Sequence, residues 1–266
     1  MSSKIIIERT GAITTITINR PAARNACDLE TLHLLVDAFA EFERDPGQHV
    51  AVLTGADGMF CAGGDLKELS VGKGIGYAWA GDKGPLQRRP SKPVIAAVHG
   101  HAVAAGLALA VWCDLRVIDD SAVFGVFCRR FGAPMTNGAS VRLPRLIGES
   151  AALDMFLTGR PVEAREAMEI GLANRLAPKG QTVSMAQALA AEIAAFPQVC
   201  LRSDRESMLG QWGMPEDEAI RREVRFGQAA FQEESQAGAA RFVRGEGRHG
   251  DFGAAGGALP PGGNGA

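Results

Sequence analysis

The feature that most constrains the fold is Pro93–Asp114, PVIAAVHGHAVAAGLALAVWCD, a short apolar run that feeds a glycine turn and then a series of small residues. Pro93–Val98 has the length and apolarity of a buried strand bounded by turn signals. After the turn come Ala, Gly and Leu with no β-branched run, so a tightly packed helix is expected from about Ala105. A helix start directs free backbone N–H groups and the positive end of its dipole at whatever lies in front of it. The small side chains of Ala104, Ala105 and Gly106 let a ligand oxygen approach that backbone closely. Two readings follow from this stretch alone: an anion or oxyanion site, and a strand–turn–helix packed tightly for structural reasons.

The same unit occurs once more upstream. Val50–Thr54 is a short apolar strand closed by Gly55, and Met59–Glu68 (MFCAGGDLKE) is a small-residue turn opening into a polar helical segment. Around these, Ile5–Glu8 and Ile13–Asn19 read as a hairpin across Thr10-Gly11-Ala12. Asp28 is placed to cap a helix that runs to about Asp45, with Leu32, Leu35, Val36, Phe39 and Phe42 at helical spacing. Further strands are expected at Leu115–Ile118, Ala122–Phe124 and Leu172–Leu176, and helices at Gly138–Ile147, Ser150–Leu157 and Glu163–Ile170. Residues 71–91 are Gly-rich and of mixed polarity, which predicts a mobile loop with one helical turn at most. Strands alternating with helices argue for an α/β domain in which successive turns stack, without a fixed-length repeat.

From Val183 the pattern becomes helical: Met185–Ala195, Gln198–Leu209, and a longer amphipathic stretch from about Pro215 to Gly238. The expected organisation is a core over residues 1–195, a helical region over 196–249 and a disordered Gly/Pro/Ala-rich tail over 250–266. The five cysteines are scattered and odd in number, fitting neither a disulfide framework nor a metal site, and suggest a reducing compartment. A net charge of −2 with no dense basic block gives no reason to expect nucleic acid as a partner. The start, MSSKIIIERTG, lacks the pattern of a signal peptide, and no apolar run has the length of a membrane span. The expected location is cytoplasmic.

Met59–Glu68 and Pro93–Asp114, together with Asn19-Arg20-Pro21 through Asn25-Ala26, Val50–Gly55 and Leu157–Arg160, resemble the crotonase (enoyl-CoA hydratase/isomerase) superfamily over essentially Ile5 to Arg248. The resemblance implies a spiral of ββα turns with a C-terminal helical region, assembled as trimers or dimers of trimers. It also implies an acyl thioester of coenzyme A as substrate, with no prosthetic group or metal, in fatty acid metabolism. The superfamily's oxyanion hole, two backbone N–H groups on the thioester carbonyl, carries over to Gly64 and Ala105. The coenzyme is expected along Arg24–Ala26 and Ala62–Lys67: Ala26 and Ala62 match positions that meet the adenine, Asp65 and Leu66 follow, and Lys67 and Arg248 match cations for the ribose phosphate. Asp65 also reads simply as a helix N-cap, and Lys67 as a solvated surface lysine.

One part departs from the pattern. Typical hydratases of the superfamily use two glutamates to activate water, and the positions that match them here hold Ala108 and Cys128. Neither residue does the work of a carboxylate pair near neutral pH. Cys128 precedes Arg129 and Arg130, which would lower its thiol pKa if they pointed inward; otherwise it is a buried, inert cysteine. Asn137 lies where some members carry an acidic catalytic residue; it could orient a water, or serve the turn before Gly138. His101 has a suitable unperturbed pKa, although strand alternation could send it away from the pocket. Tyr77, Trp79 and Asp82 belong to the loop expected to roof the acyl pocket, and Glu149 reads as a helix-start residue. The function expected is an acyl-CoA enzyme akin to enoyl-CoA hydratase with an altered acid/base set. The alternatives are a related isomerase, decarboxylase or thioester hydrolase, or a non-catalytic acyl-CoA binder.

Overall fold

The computed structural model describes residues 3–73, 78–79 and 84–247. Tyr77, Asp82, Arg248 and the 250–266 tail therefore lie outside the described residues. The chain forms two compact units that divide between Ala190 and Ala191, inside a helix rather than after it.

The first unit begins with the hairpin β1 (Ile5–Thr10) and β2 (Ile13–Ile18), antiparallel with Ile5 opposite Ile18. Helix α1 (Leu29–Arg44) follows, capped by Asp28, whose carboxylate accepts the Thr31 N–H at 2.8 Å. The apolar face of α1, with Leu32, Leu35, Phe39 and Phe42, is buried in the core. Strands β3 (Val50–Gly55), β4 (Val94–Val98), β6 (Leu115–Ile118) and β9 (Arg175–Leu176) then join in parallel, giving a six-stranded sheet in the order β1-β2-β3-β4-β6-β9. β3 and β4 are buried at every position, as parallel strands covered on both faces are.

A second, smaller sheet joins β5 (His101–Val103), β7 (Val123–Gly125) and β8 (Val162–Glu163). Isolated parallel bridges, Cys61 to Ala102 and Cys27 to Gly64, continue the same stepping. Successive turns thus add one strand to each sheet, which is the stacked ββα spiral in physical terms. β5 occupies what the sequence suggested was only a turn. Its three residues are too few to show a period of two, and it is fixed by pairing to Cys61 and β7.

Helix α2 (Leu66–Ser70) opens from the Cys61–Gly64 turn, and helix α3 (Ala105–Trp112) from the turn after β5. All residues of α3 are buried, consistent with a helix apolar around its whole circumference. Helices α4 (Ala139–Ile147), α5 (Glu149–Thr158) and α6 (Ala164–Glu169) complete the unit, and α7 (Thr182–Ala195) leads out of it. Between β7 and α4 the chain makes a 3-10 turn at Phe127–Phe131, in a segment without helical or strand periodicity. In the second unit, α8 (Gln198–Gly210) precedes α9 (Glu216–Ala230). A π-turn at Phe231–Ser235 runs directly into α10 (Gln236–Val243), so the single long stretch expected there is divided by one wide turn.

Candidate active site

The turn after β3 and the turn after β5 meet because two glycines permit it. Gly106 sits so close to the upstream turn that a Cβ on it would lie 2.0 Å from the Cys61 carbonyl oxygen. Gly63, at φ +103°, has no room for a Cβ either, which would fall 2.9 Å from Ala104 Cβ and 3.2 Å from Ala105 N. These close approaches place Gly64 and Ala105 on the same cavity. Ala104, the residue before α3, is held at φ 53°, ψ −121°, an uncommon conformation for a residue with a side chain. It is locked there from both sides: its N–H donates to Gly125 O at 2.9 Å, and its carbonyl accepts the Ala108 N–H at 3.2 Å.

Among the described residues, no hydrogen bond occupies the N–H of Gly64, whose neighbours Gly63 and Asp65 make the bonds to Cys27 instead. The N–H of Ala105 is likewise without an acceptor there, as the first residue of a helix has no intrahelical partner. Two donors from two separate strand–turn units thus border one cavity of about 130 Å³. Leu66, Leu69, Trp79, Phe127, Phe131 and Met135 make its walls largely apolar. In such surroundings a donor aimed at a developing negative charge acts far more strongly than in water.

Arg24, Ala26 and the Ala62–Lys67 segment are drawn together by backbone bonding. Ala62 N–H donates to Arg24 O at 3.1 Å, and Asp65 N–H to Cys27 O at 2.9 Å. Arg20 fastens the same region, donating to Ala26 O and pairing at 3.0 Å with both Asp28 and Asp65. Asp65 also caps α2, accepting the Lys67 N–H at 3.0 Å. Leu66 and Lys67 are exposed on α2, and Arg24 is exposed in a left-handed conformation. Of these residues, Ala62, Asp65 and Leu66 also line the cavity.

Cys128 and Asn137 line the cavity; His101 does not. His101 is exposed at the start of β5, its ring edge-on to Phe127 with centroids 6.5 Å apart. The arginines after Cys128 are engaged away from the thiol. Arg129 Nε donates to Phe156 O at 3.0 Å, while Arg130 donates to Gly159 O at 2.9 Å and lies over the Phe127 ring. Burial therefore prevails over the nearby Arg129 charge and pushes the Cys128 thiol up, so the activated thiolate considered from sequence is not what this site holds. The thiol keeps its proton and sits 3.3 Å from Met135 Sδ.

Asn137 is 4% exposed. Its Oδ1 meets the Ala139 N–H at 3.4 Å, and its Nδ2 has no acceptor among the described residues. Ala108 lies one turn along α3 from Ala105 and is wholly buried. Glu149 starts α5 behind Gly148 and takes no part in the cavity wall. Nothing in the sequence marks Phe127, Phe131 and Met135 as wall residues, because they come from an irregular segment with no periodicity to follow. No group of three or more metal-ligating side chains occurs among the described residues. Nor is any single described helix long and apolar enough to cross a membrane.

The enoyl-CoA hydratase/isomerase family model matches residues 8–253. Among curated proteins, the chain is 39% identical to the enoyl-CoA hydratase EchA19 of Mycobacterium tuberculosis over 238 residues, covering 85% of this chain and 88% of the relative. It is 34% identical to the carnitinyl-CoA dehydratase of Proteus mirabilis over 198 residues, covering 73% of this chain and 76% of the relative. Among solved structures, the enoyl-CoA hydratase EchA1 of Mycobacterium marinum superposes with a TM-score of 0.86 at 32% identity, covering 91% of this chain and 96% of the other. With the spiral of paired sheets and the match spanning nearly the whole sequence, the chain belongs to the enoyl-CoA hydratase/isomerase family.

Proposed function

We propose that this enzyme of the enoyl-CoA hydratase/isomerase family holds the carbonyl of an acyl-CoA thioester between the N–H groups of Gly64 and Ala105 while negative charge develops on its oxygen. The observation that carries the reading is that these two donors lack protein acceptors and border a single apolar cavity. The coenzyme runs along Arg24, Ala26, Ala62, Asp65, Leu66 and Lys67, with Arg248 adding a cation. The hydrogen bonds joining Arg24 to Ala62 and Arg20 to Ala26 and Asp65 support one continuous strip for it. The names of the relatives and the family pattern favour water addition across a trans-2-enoyl-CoA.

In that reaction water attacks the β-carbon, the alkene electrons move to the thioester oxygen, and the α-carbon then takes a proton. With Ala108 and Cys128 at the positions of the two glutamates, the Asn137 amide orients the water. The Cys128 thiol gives its proton to the α-carbon and recovers one from the attacking water. Replacing positioned carboxylates in this way removes roughly 10²–10⁴-fold of rate, so a slow hydratase is expected. A homotrimer or dimer of trimers in the cytoplasm completes the reading.

Incubation of the purified protein with enoyl-, malonyl-type and saturated acyl-CoAs, with products identified by mass, tests it. Hydrate formation from an enoyl-CoA supports the reading. Tight binding of thioesters without any product would reduce the chain to an acyl-CoA binder.

A further inference from the structure

Of the two N–H groups on the cavity, that of Ala105 starts α3, a helix buried along its whole length. That of Gly64 belongs to a turn residue with no side chain of its own, and α2 beyond it has only five residues. The place of Gly64 therefore depends on supports outside it. Backbone bonds supply two: the Cys27 N–H donates to Gly63 O at 2.8 Å, and the Asp65 N–H to Cys27 O at 2.9 Å. The third support is a side chain. Asp65 divides its carboxylate, one oxygen accepting the Lys67 N–H at 3.0 Å and the other accepting from Arg20 Nη2 at 3.0 Å.

Arg20 is a branched support. Its Nη2 lies 3.0 Å from both Asp28 and Asp65, while its Nη1 donates to the Ala26 carbonyl. Asp28 is fixed in turn by Lys4 and by the first turn of α1. The Arg20 backbone is pinned as well, its N–H donating to Asn25 Oδ1 and its carbonyl accepting the Asn25 N–H, each at 2.9 Å. The side chains of Arg20, Asp28 and Asp65 are 17%, 9% and 13% exposed, so little water competes for these bonds. A guanidinium is a rigid plane, and a movement of Ala26 that tilts one arm tilts the other against Asp65.

Resting on the oxyanion and coenzyme readings above, we propose that Arg20 is a positioning residue that couples the coenzyme strip at Ala26 to the Gly64 N–H, so that seating the nucleotide end of the coenzyme aligns this donor with the thioester oxygen. Arg20 itself touches no reacting atom. Binding energy from the part of the substrate that does not react is in this way used where charge develops. A donor slightly out of place still tolerates the resting thioester, and what it loses is mainly the stabilisation of the charged oxygen. A lysine at this position brings a point charge without the planar fork that reaches Ala26 and the two carboxylates together.

Two probes test this in the full-length protein: 2,4-hexadienoyl-CoA and the matching pantetheine thioester, which lacks the nucleotide. The absorption of such a conjugated thioester moves to longer wavelength as its carbonyl oxygen is polarised. Spectra of the bound thioesters are recorded at saturation, so that affinity does not enter. The parent is expected to shift the CoA thioester further than the pantetheine thioester. Arg20→Met is expected to bring the CoA thioester down to the shift of the pantetheine thioester, and Arg20→Lys to recover part of the difference. Asp65→Asn, whose side-chain oxygen is able to keep the cap on α2, is expected to match Arg20→Met, and it carries the comparison if circular dichroism shows that Arg20→Met does not fold. Equal shifts for the two thioesters in the parent, an undiminished difference in the folded variants, or the loss of both shifts together overturns the inference with the oxyanion reading standing. No shift of either thioester in the parent, or a shift undiminished in a folded Ala105→Pro variant, overturns the oxyanion reading beneath it.

Discussion

The Cβ that Gly106 lacks would stand 2.0 Å from the carbonyl oxygen of Cys61, which makes the start of α3 and the turn after β3 a single packed unit. Backbone meets backbone here, so no side-chain rotation can make room. Gly106→Ala must push α3 away from Cys61 and, with it, Ala105 away from Gly64. We expect a loss of about 3 kcal/mol or more, read as a lowered Tm, together with loss of turnover. Gly227, in α9 with nothing within 4 Å of its missing Cβ, is the contrasting site. Gly227→Ala should stabilise by about 0.5–1 kcal/mol.

Ala104 gives the opposite sign at the same turn. Its φ of 53° is imposed by the bonds to Gly125 and Ala108, and glycine adopts that region without cost. Ala104→Gly should therefore raise the free energy of unfolding, by about 1 kcal/mol. Gly63→Ala, at φ +103° and against Ala104 Cβ, should lower it by more than that. Chemical denaturation of the two variants side by side checks both signs.

Acid stability should depend on Asp28. Burial acts to raise its pKa, but hydrogen bonds from Lys4 and Thr31 and the Arg20 charge prevail and bring it down to about 2. A carboxylate whose pKa is lower in the folded than in the unfolded chain binds its proton more readily when unfolded. The stabilisation is therefore complete above about pH 4 and lost as pH falls from there towards 2. Its size is on the order of 2 kcal/mol. Asp28→Asn should be less stable than the parent at pH 7, and the gap should narrow as the pH is lowered through this window, measured by urea unfolding.

Ala105 is the first residue of α3, a position where proline fits the helix and deletes one N–H. Ala105→Pro should lower kcat by roughly 10²–10³ while KM changes little, because the lost bond strengthens only as charge develops. Circular dichroism of the variant separates this outcome from misfolding.

Much of this arrangement was readable before the structure. Strand–glycine–helix order identified the β3 and β4 turns as a pair, since apolar runs and small residues are local signals. Asp28 was legible as a helix cap for the same reason. The position of β5 was not, because three residues owe their conformation to Cys61 and Gly125 rather than to their own sequence. Cys128 shows the limit most clearly. Its neighbours Arg129 and Arg130 leave both an acidic thiol and a buried, inert one open, and the difference turns on their side chains, which reach Phe156 and Gly159 on distant segments. Sequence adjacency reports charge along the chain, whereas a pKa responds to charge in space.

The family resemblance places a catalytic glutamate where Ala108 stands, and this supplies the last prediction. Ala108 follows Ala105 by three residues on α3, which puts both on neighbouring parts of one helix face. Under the proposed thioester reading, Ala108→Glu should add a group able to activate water one helical turn from the Ala105 N–H. The position is fully buried, so the larger side chain should cost about 1–3 kcal/mol of stability. If hydration is limited by the lack of a base, the variant should gain roughly 10²-fold or more in kcat for crotonyl-CoA while losing several degrees in Tm. Hydration of crotonyl-CoA by the folded variant at the parent's rate would mean that proton transfer is not what limits this enzyme, and the slow step would then lie in substrate closure or product release.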